Sequence, residues 1–151
     1  MRRADVAVYS PDGKLQLVVE IKNRSGASAE WVAQMRRNLL VHAVIPPSPY
    51  FLLVLPDFFY LWIDAMSVHE LASPDYQIKA AEVLAPYLSP STQSLKELNE
   101  YSLELLVTSW LEDLVGTDLQ QDKVGPHLQW LFDSGLYEAI RHGSITIEAT
   151  A

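Results

Sequence analysis

Asp5, Glu20 and Lys22 are the residues whose types and spacing can do chemistry together. They sit in two β-favouring runs, Arg3 to Tyr9 and Leu15 to Lys22, separated by Ser10-Pro11-Asp12-Gly13. Asp-Gly between such runs is a strong hairpin signal. With Asp12-Gly13 as a two-residue turn, Pro11 faces Lys14, Tyr9 faces Gln16, Ala7 faces Val18 and Asp5 faces Glu20. Side chains alternate along a strand, so Gln16, Val18, Glu20 and Lys22 share one face, with Leu15, Leu17, Val19 and Ile21 on the other. A three- or four-residue turn would instead make Asp5 and Glu20 diagonal neighbours.

Directly opposed like charges destabilise a strand pair. A divalent cation reverses that interaction, because Mg²⁺ and Mn²⁺ take carboxylate oxygens together with water and phosphate. Lys22 beside such an ion adds a fixed positive charge near an attacking water and a developing phosphorane. The chemistry these residues suggest is therefore phosphodiester hydrolysis.

The elements that must position them follow in order. Ser25-Gly26-Ala27 interrupts the pattern, and Ser28 is placed to cap a helix with Glu30 in its first turn, running to about His42. Val32, Met35 and Leu39 fall on one stripe of that helix, and Trp31, Gln34 and Asn38 on a neighbouring stripe directed toward Glu20 and Lys22. Pro46, Pro47 and Pro49 enforce an extended connection. Tyr50 to Leu55 and Phe58 to Ile63 then read as apolar strands about Pro56-Asp57, the first as a central strand buried on both faces.

Asp5, then Glu20-Ile21-Lys22 after a hairpin, then a helix with Gln34, resembles the PD-(D/E)xK nuclease superfamily, over roughly residues 4 to 62. The resemblance implies a restriction-endonuclease-like core, with Asp5, Glu20 and the main-chain carbonyl of Ile21 as ligands of Mg²⁺ or Mn²⁺. It implies that Lys22 positions or deprotonates the attacking water, and that Gln34 corresponds to the helix glutamine of RecB-like members. Ala4 stands where the motif's Pro would be, and Asn38 where RecB-like helices carry an aromatic. The resemblance also places a first helix, often with a further acidic ligand, and a first strand ahead of Asp5, where this sequence has four residues. That leaves a shortened reading frame or an incomplete core, and an incomplete core exposes a sheet edge that a second copy, forming a homodimer, would cover.

From Pro74 onward helical spacing dominates, in Tyr76 to Leu88, Leu95 to Val115, Pro126 to Phe132 and Leu136 to His142, punctuated by Pro and Gly. Ile145 to Glu148 then alternates as a strand able to return to the sheet. The fold expected is α/β in a single domain of residues 1–151. It comprises a mixed sheet led by an antiparallel hairpin, one crossing helix and C-terminal helices packed on the sheet. Residues 1–63 form the nuclease-like core, 74–143 a helical part and 144–149 the returning strand.

Charge is uneven along the chain. Residues 1–37 carry seven basic residues against four acidic ones, so the remainder carries −11 of an overall −8. Arg24, Arg36 and Arg37 are accordingly the expected nucleic-acid contacts. The absence of cysteine excludes disulfides and thiolate metal sites. The four histidines lack zinc spacing, and neither a nucleophile elbow nor a phosphate-cradling P-loop is present. No leader or spanning pattern is visible, so a cytoplasmic protein without membrane partners is expected. The functional expectation is a metal-dependent nuclease acting on DNA. Its alternative is a nuclease-like domain without cleavage that binds nucleic acid or a protein partner.

Overall fold

The computed structural model describes residues 4–42, 44–67, 70–91 and 94–147. The first strand, β1 (Val6–Tyr9), pairs antiparallel with β2 (Leu15–Ile21), and the chain then crosses through α1 (Ala29–Val41) to β3 (Tyr50–Val54), which runs parallel to β2. A tight turn at Pro56-Asp57 returns it as β4 (Phe58–Trp62), antiparallel to β3. The strand order is completed by β5 (Tyr76–Lys79) beside β4 and β6 (Ser144–Ile147) beside β1, giving a six-stranded mixed sheet β5-β4-β3-β2-β1-β6. The remaining helices are α2 (Ala80–Leu84), α3 (Glu100–Gly116), α4 (Trp130–Asp133) and α5 (Leu136–Ile140).

The α/β class, the hairpin, the crossing helix and the helices on the sheet follow the sequence reading. Ser28 caps α1 by accepting from the Trp31 N–H at 3.0 Å, and Asn99 caps α3 through the Ser102 N–H at 2.8 Å. A parallel β2–β3 pair needs both faces covered. On one face Val18, Phe51, Leu53 and Trp62 pack with Val32 and Leu40 of α1; on the other Val8, Val19, Leu52 and Phe59 pack with Leu103, Trp110, Leu111 and Leu136. Three layers result.

Three expectations are corrected. Tyr76 to Lys79 is a strand, not the start of a helix: only Ile78 of the four is buried, so its period is two and it pairs with the free edge of β4. The hairpin turn is three residues long, with Ser10 facing Lys14 and Gly13 at φ +83, a backbone state that glycine adopts without cost. A bulge follows, so Tyr9 faces Leu15 rather than Gln16, while Val8 faces Leu17 and Ala7 faces Val18 as expected. The extra residue in the turn and the extra residue in the bulge cancel. Leu15 consequently packs on the α1 side, away from Leu17. Third, the outer edge of β1 is covered by β6, which pairs Ile147 with Val6 and Ser144 with Tyr9, so this edge is not left for a second copy.

Gly143 introduces β6 at a point where no side chain fits. A Cβ there would meet the Tyr9 carbonyl oxygen and stand 2.9 Å from the Ile140 carbonyl oxygen, both backbone atoms. Gly143→Ala is expected to destabilise the fold by about 1–3 kcal/mol, the usual range for overpacking. Denaturant melts check the loss, and hydrogen exchange should locate it at the β1–β6 pairing.

Candidate metal and phosphodiester site

Asp5 lies one residue before β1, beyond the last ladder pair Val6–Val19, and therefore opposite Glu20. Its backbone N–H donates to Glu20 Oε2 at 3.0 Å, while its own Oδ2 accepts from the Ile21 N–H at 2.8 Å. Side chains thus replace the backbone pairing at the strand end and lock the two acids together. Glu20 is buried, with 4% of its surface exposed, on the α1 side of the sheet; Ile21 turns its side chain into the opposite layer.

Burial pushes the Glu20 carboxyl up to about 8, assisted by its hydrogen-bond contact with the Asp5 carboxyl group and by Asp5's charge. The Asp5 N–H and the Lys22 ammonium oppose that rise only in part. Lys22 follows on the same strand face, half-buried, its backbone N–H on the Val54 carbonyl at 3.0 Å. The pair and the lysine are brought together as the sequence reading expects.

Other members are placed elsewhere. Gln34 is exposed, its amide nitrogen donating to Glu30 Oε1 at 3.3 Å, and the structure gives it no bond to the acidic pair. Arg36 is a correction: it is 2% exposed and donates to the carbonyls of Ala65 and Ser67 at 3.0 and 2.9 Å, with its guanidinium 5.8 Å from the Trp62 ring. The reason is position. Val32, Arg36 and Leu40 stand four residues apart on the core-facing stripe of α1, which Met35 and Leu39 only flank. Burial lowers the Arg36 pKa, and a guanidinium so committed cannot meet a phosphate backbone. Arg24 is exposed and stacks at 4.4 Å on Trp31, and Arg37 is exposed on α1.

A further acid comes from α3, which sequence reasoning treated only as a sheet cover. Glu100, in its first turn, accepts from the Asn23 N–H at 3.0 Å, tying the residue after Lys22 to this helix. Glu104, one turn on, has its pKa raised by burial first and then by the charges of Asp5 and Glu100. The signal available in the sequence was the four-residue spacing of Glu100 and Glu104, which puts both carboxylates on one face of the first turns of α3. Two carboxylates crowded at a sheet end, with a third within electrostatic reach, are hard oxygen donors of the kind Mg²⁺ or Mn²⁺ takes. The raised proton affinity of Glu20 comes first from burial, with the Asp5 carboxyl group adding to it. Among the described residues, however, no three His, Cys, Asp or Glu side chains converge closely enough to hold an ion jointly.

No protein-family profile, no curated protein and no solved structure matches the chain. Among the described residues no helix is long and apolar enough to cross a membrane.

The Glu20 shift gives a pH dependence of definite sign. Its folded pKa stands above the 4.5 of an unperturbed glutamate, so the folded state holds a proton that the unfolded state has released. This contribution is fully present below about 4.5 and is lost as pH rises toward about 8. Stability should fall across that window by on the order of a few kcal/mol. Glu20→Gln, which keeps the shape but cannot ionise, should flatten the slope and melt higher than the parent at pH 9 in EDTA; urea melts across the pH range measure both.

Proposed function

We propose that the protein is a metal-dependent phosphodiester hydrolase acting on nucleic acid, DNA foremost, with a PD-(D/E)xK-like site at Asp5, Glu20 and Lys22. The observation that carries this reading is the pairing of buried Glu20 with half-buried Asp5. Two carboxylates are held face to face by reciprocal bonds to each other's strand, at an electrostatic disadvantage that nothing in the packing requires. Bound between them, Mg²⁺ or Mn²⁺ would polarise a phosphodiester and lower the pKa of a water. Asp5 and Glu20 would hold the ion, and Lys22, next on the same face, would supply positive charge to the attacking water and the developing phosphorane.

The architecture supports the same reading. The resemblance expects an acid-bearing helix and a strand ahead of Asp5. Here β6 lies beside β1 and α3 brings Glu104 toward Asp5, both from the C-terminal half of the chain. On this reading α3, β6, β1, β2, α1 and β3 take the places of a restriction-endonuclease-like core, with the helix and strand expected ahead of Asp5 supplied by the C-terminal half of the chain. Arg24, stacked on Trp31, and Arg37 remain the basic contacts proposed for the strand.

A second reading is a domain of the same architecture that binds nucleic acid or a protein partner without cutting it. It is favoured by Gln34 bonding to Glu30 and by Arg36 being spent on loop carbonyls, since two side chains assigned to the substrate side are committed elsewhere.

Cleavage of end-labelled single- and double-stranded DNA in Mn²⁺, with EDTA as control, separates the two. The expected outcome is metal-dependent cutting that Glu20→Gln and Lys22→Ala each reduce by about 10²-fold or more. Thermal melts add a readout independent of substrate: Mn²⁺ should raise the parent by more than it raises Asp5→Asn, because a ligand selective for the folded state stabilises it in proportion to its affinity. Retained DNA binding with no metal-dependent cutting by the parent would favour the binding reading, and equal cutting by Lys22→Ala together with equal Mn²⁺ shifts would overturn the site.

A further inference from the structure

Only four basic residues lie beyond residue 37, namely Lys79, Lys96, Lys123 and Arg141, in a stretch that carries −11. Two of them, Lys79 and Lys96, line one cavity of about 310 Å³, together with Asp57, Phe58, Leu88 and Ser94. Among the described residues neither lysine forms an ion pair, whereas Arg141 is paired with Asp118 and Glu138. Unpaired cations converging in an acidic body need another explanation than solubility.

The place of the cavity supplies one. Lys22 donates its backbone N–H to Val54 at the end of β3, and the Pro56-Asp57 turn follows directly. The Gly26 N–H donates to Asp57 Oδ2 at 2.8 Å, which ties the loop after Lys22 to this turn, and the Ala80 N–H donates to the Asp57 carbonyl at 3.0 Å, which ties the end of β5 to it. Lys79 is the strand partner of Phe58. The cavity therefore opens at the same end of the sheet as the acidic pair, about two strand spacings, roughly 10 Å, from β2 to β4. Ser94 caps its own turn by accepting from the Lys96 N–H at 3.2 Å, which fixes Lys96 at the cavity wall.

We propose that this cavity is a second phosphate subsite, in which Lys79, Lys96 and the Ser94 hydroxyl hold a backbone phosphate of the strand lying across the Asp5–Glu20 pair. The inference rests on the hydrolase reading for the identity of the strand. Phe58 and Leu88 provide apolar walls for the attached sugar or an unstacked base. Asp57 acts as a positioning residue: its carboxylate and carbonyl clamp the loop of one subsite to the strand of the other, so both are held on one rim.

The test is anisotropy of the full-length chain with a labelled oligothymidylate of about ten nucleotides in EDTA, over a series of salt concentrations. Each phosphate neutralised on a single strand contributes about 0.7 to the slope of log affinity against log salt, so Lys79→Gln/Lys96→Gln, which frees the one phosphate held there, should lower the slope by about 0.7. Lys79→Arg/Lys96→Arg should restore it, and melts of both variants confirm an intact fold. An unchanged slope in the glutamine variant, or no binding by the parent, overturns the subsite. Cleavage measured alongside keeps the two readings apart. Cutting abolished by Glu20→Gln with an unchanged slope in the lysine variant leaves the hydrolase standing and removes the subsite; a lost slope without cutting does the reverse.

Discussion

The parallel pairing of β2 with β3 is the constraint on which the rest of the molecule depends. Parallel neighbours cannot be joined by a turn, so the chain must climb back through α1, and both faces of the sheet must then be covered. The same pairing sends the C-terminal ends of β2 and β3 to one edge. Because β1 is antiparallel to β2, its N-terminal residue Asp5 reaches that edge as well. The meeting of Asp5, Glu20, Lys22 and the Pro56-Asp57 turn is thus a result of strand direction before it is a result of any side-chain contact.

The electrostatics of the interior are divided in a way that favours chemistry at that edge. The buried guanidinium of Arg36 donates through Nη2 to two loop carbonyls, with Glu70 and Asp75 near enough to favour its charge, and it does not neutralise Glu20. Glu20 is left with a carboxyl neighbour, a backbone N–H and a lysine whose charge compensates burial only in part. A fold selected for stability alone would place an apolar residue or a paired cation opposite it. Ionising Glu20 is therefore unfavourable in the folded state, and a cation that took the place of its proton would offset that cost.

Local signals carried much of the fold. Ser28 before an amphipathic run gave the start of α1, the continuous apolar run from Tyr50 gave the central strand, and period-two alternation gave the returning strand β6. Other features depend on tertiary partners that no local pattern announces. Tyr76 to Lys79 has too little length for its period to stand out from the helix that follows, and only the open edge of β4 makes it a strand. Arg36 was read by its charge although its spacing from Val32 and Leu40 placed it inside. Glu104 needed the knowledge that α3 comes within electrostatic reach of Asp5, a neighbour far away in sequence. The opposition of Asp5 and Glu20 was legible, yet through a turn one residue shorter than the real one, because the bulge at the next pair returned the register to the same place.

That compensation makes the acidic pair a matter of parity. Each strand residue faces one layer or the other in strict alternation, so adding or removing one residue anywhere between Asp5 and Glu20 exchanges the layers unless a second irregularity absorbs it. The hairpin holds two such irregularities, the Gly13 turn and the bulge beside Tyr9. Changes of length in the exposed tip, far from any charged neighbour of Glu20, can therefore be silent or can turn a carboxylate from one side of the sheet to the other, depending only on whether the bulge is kept.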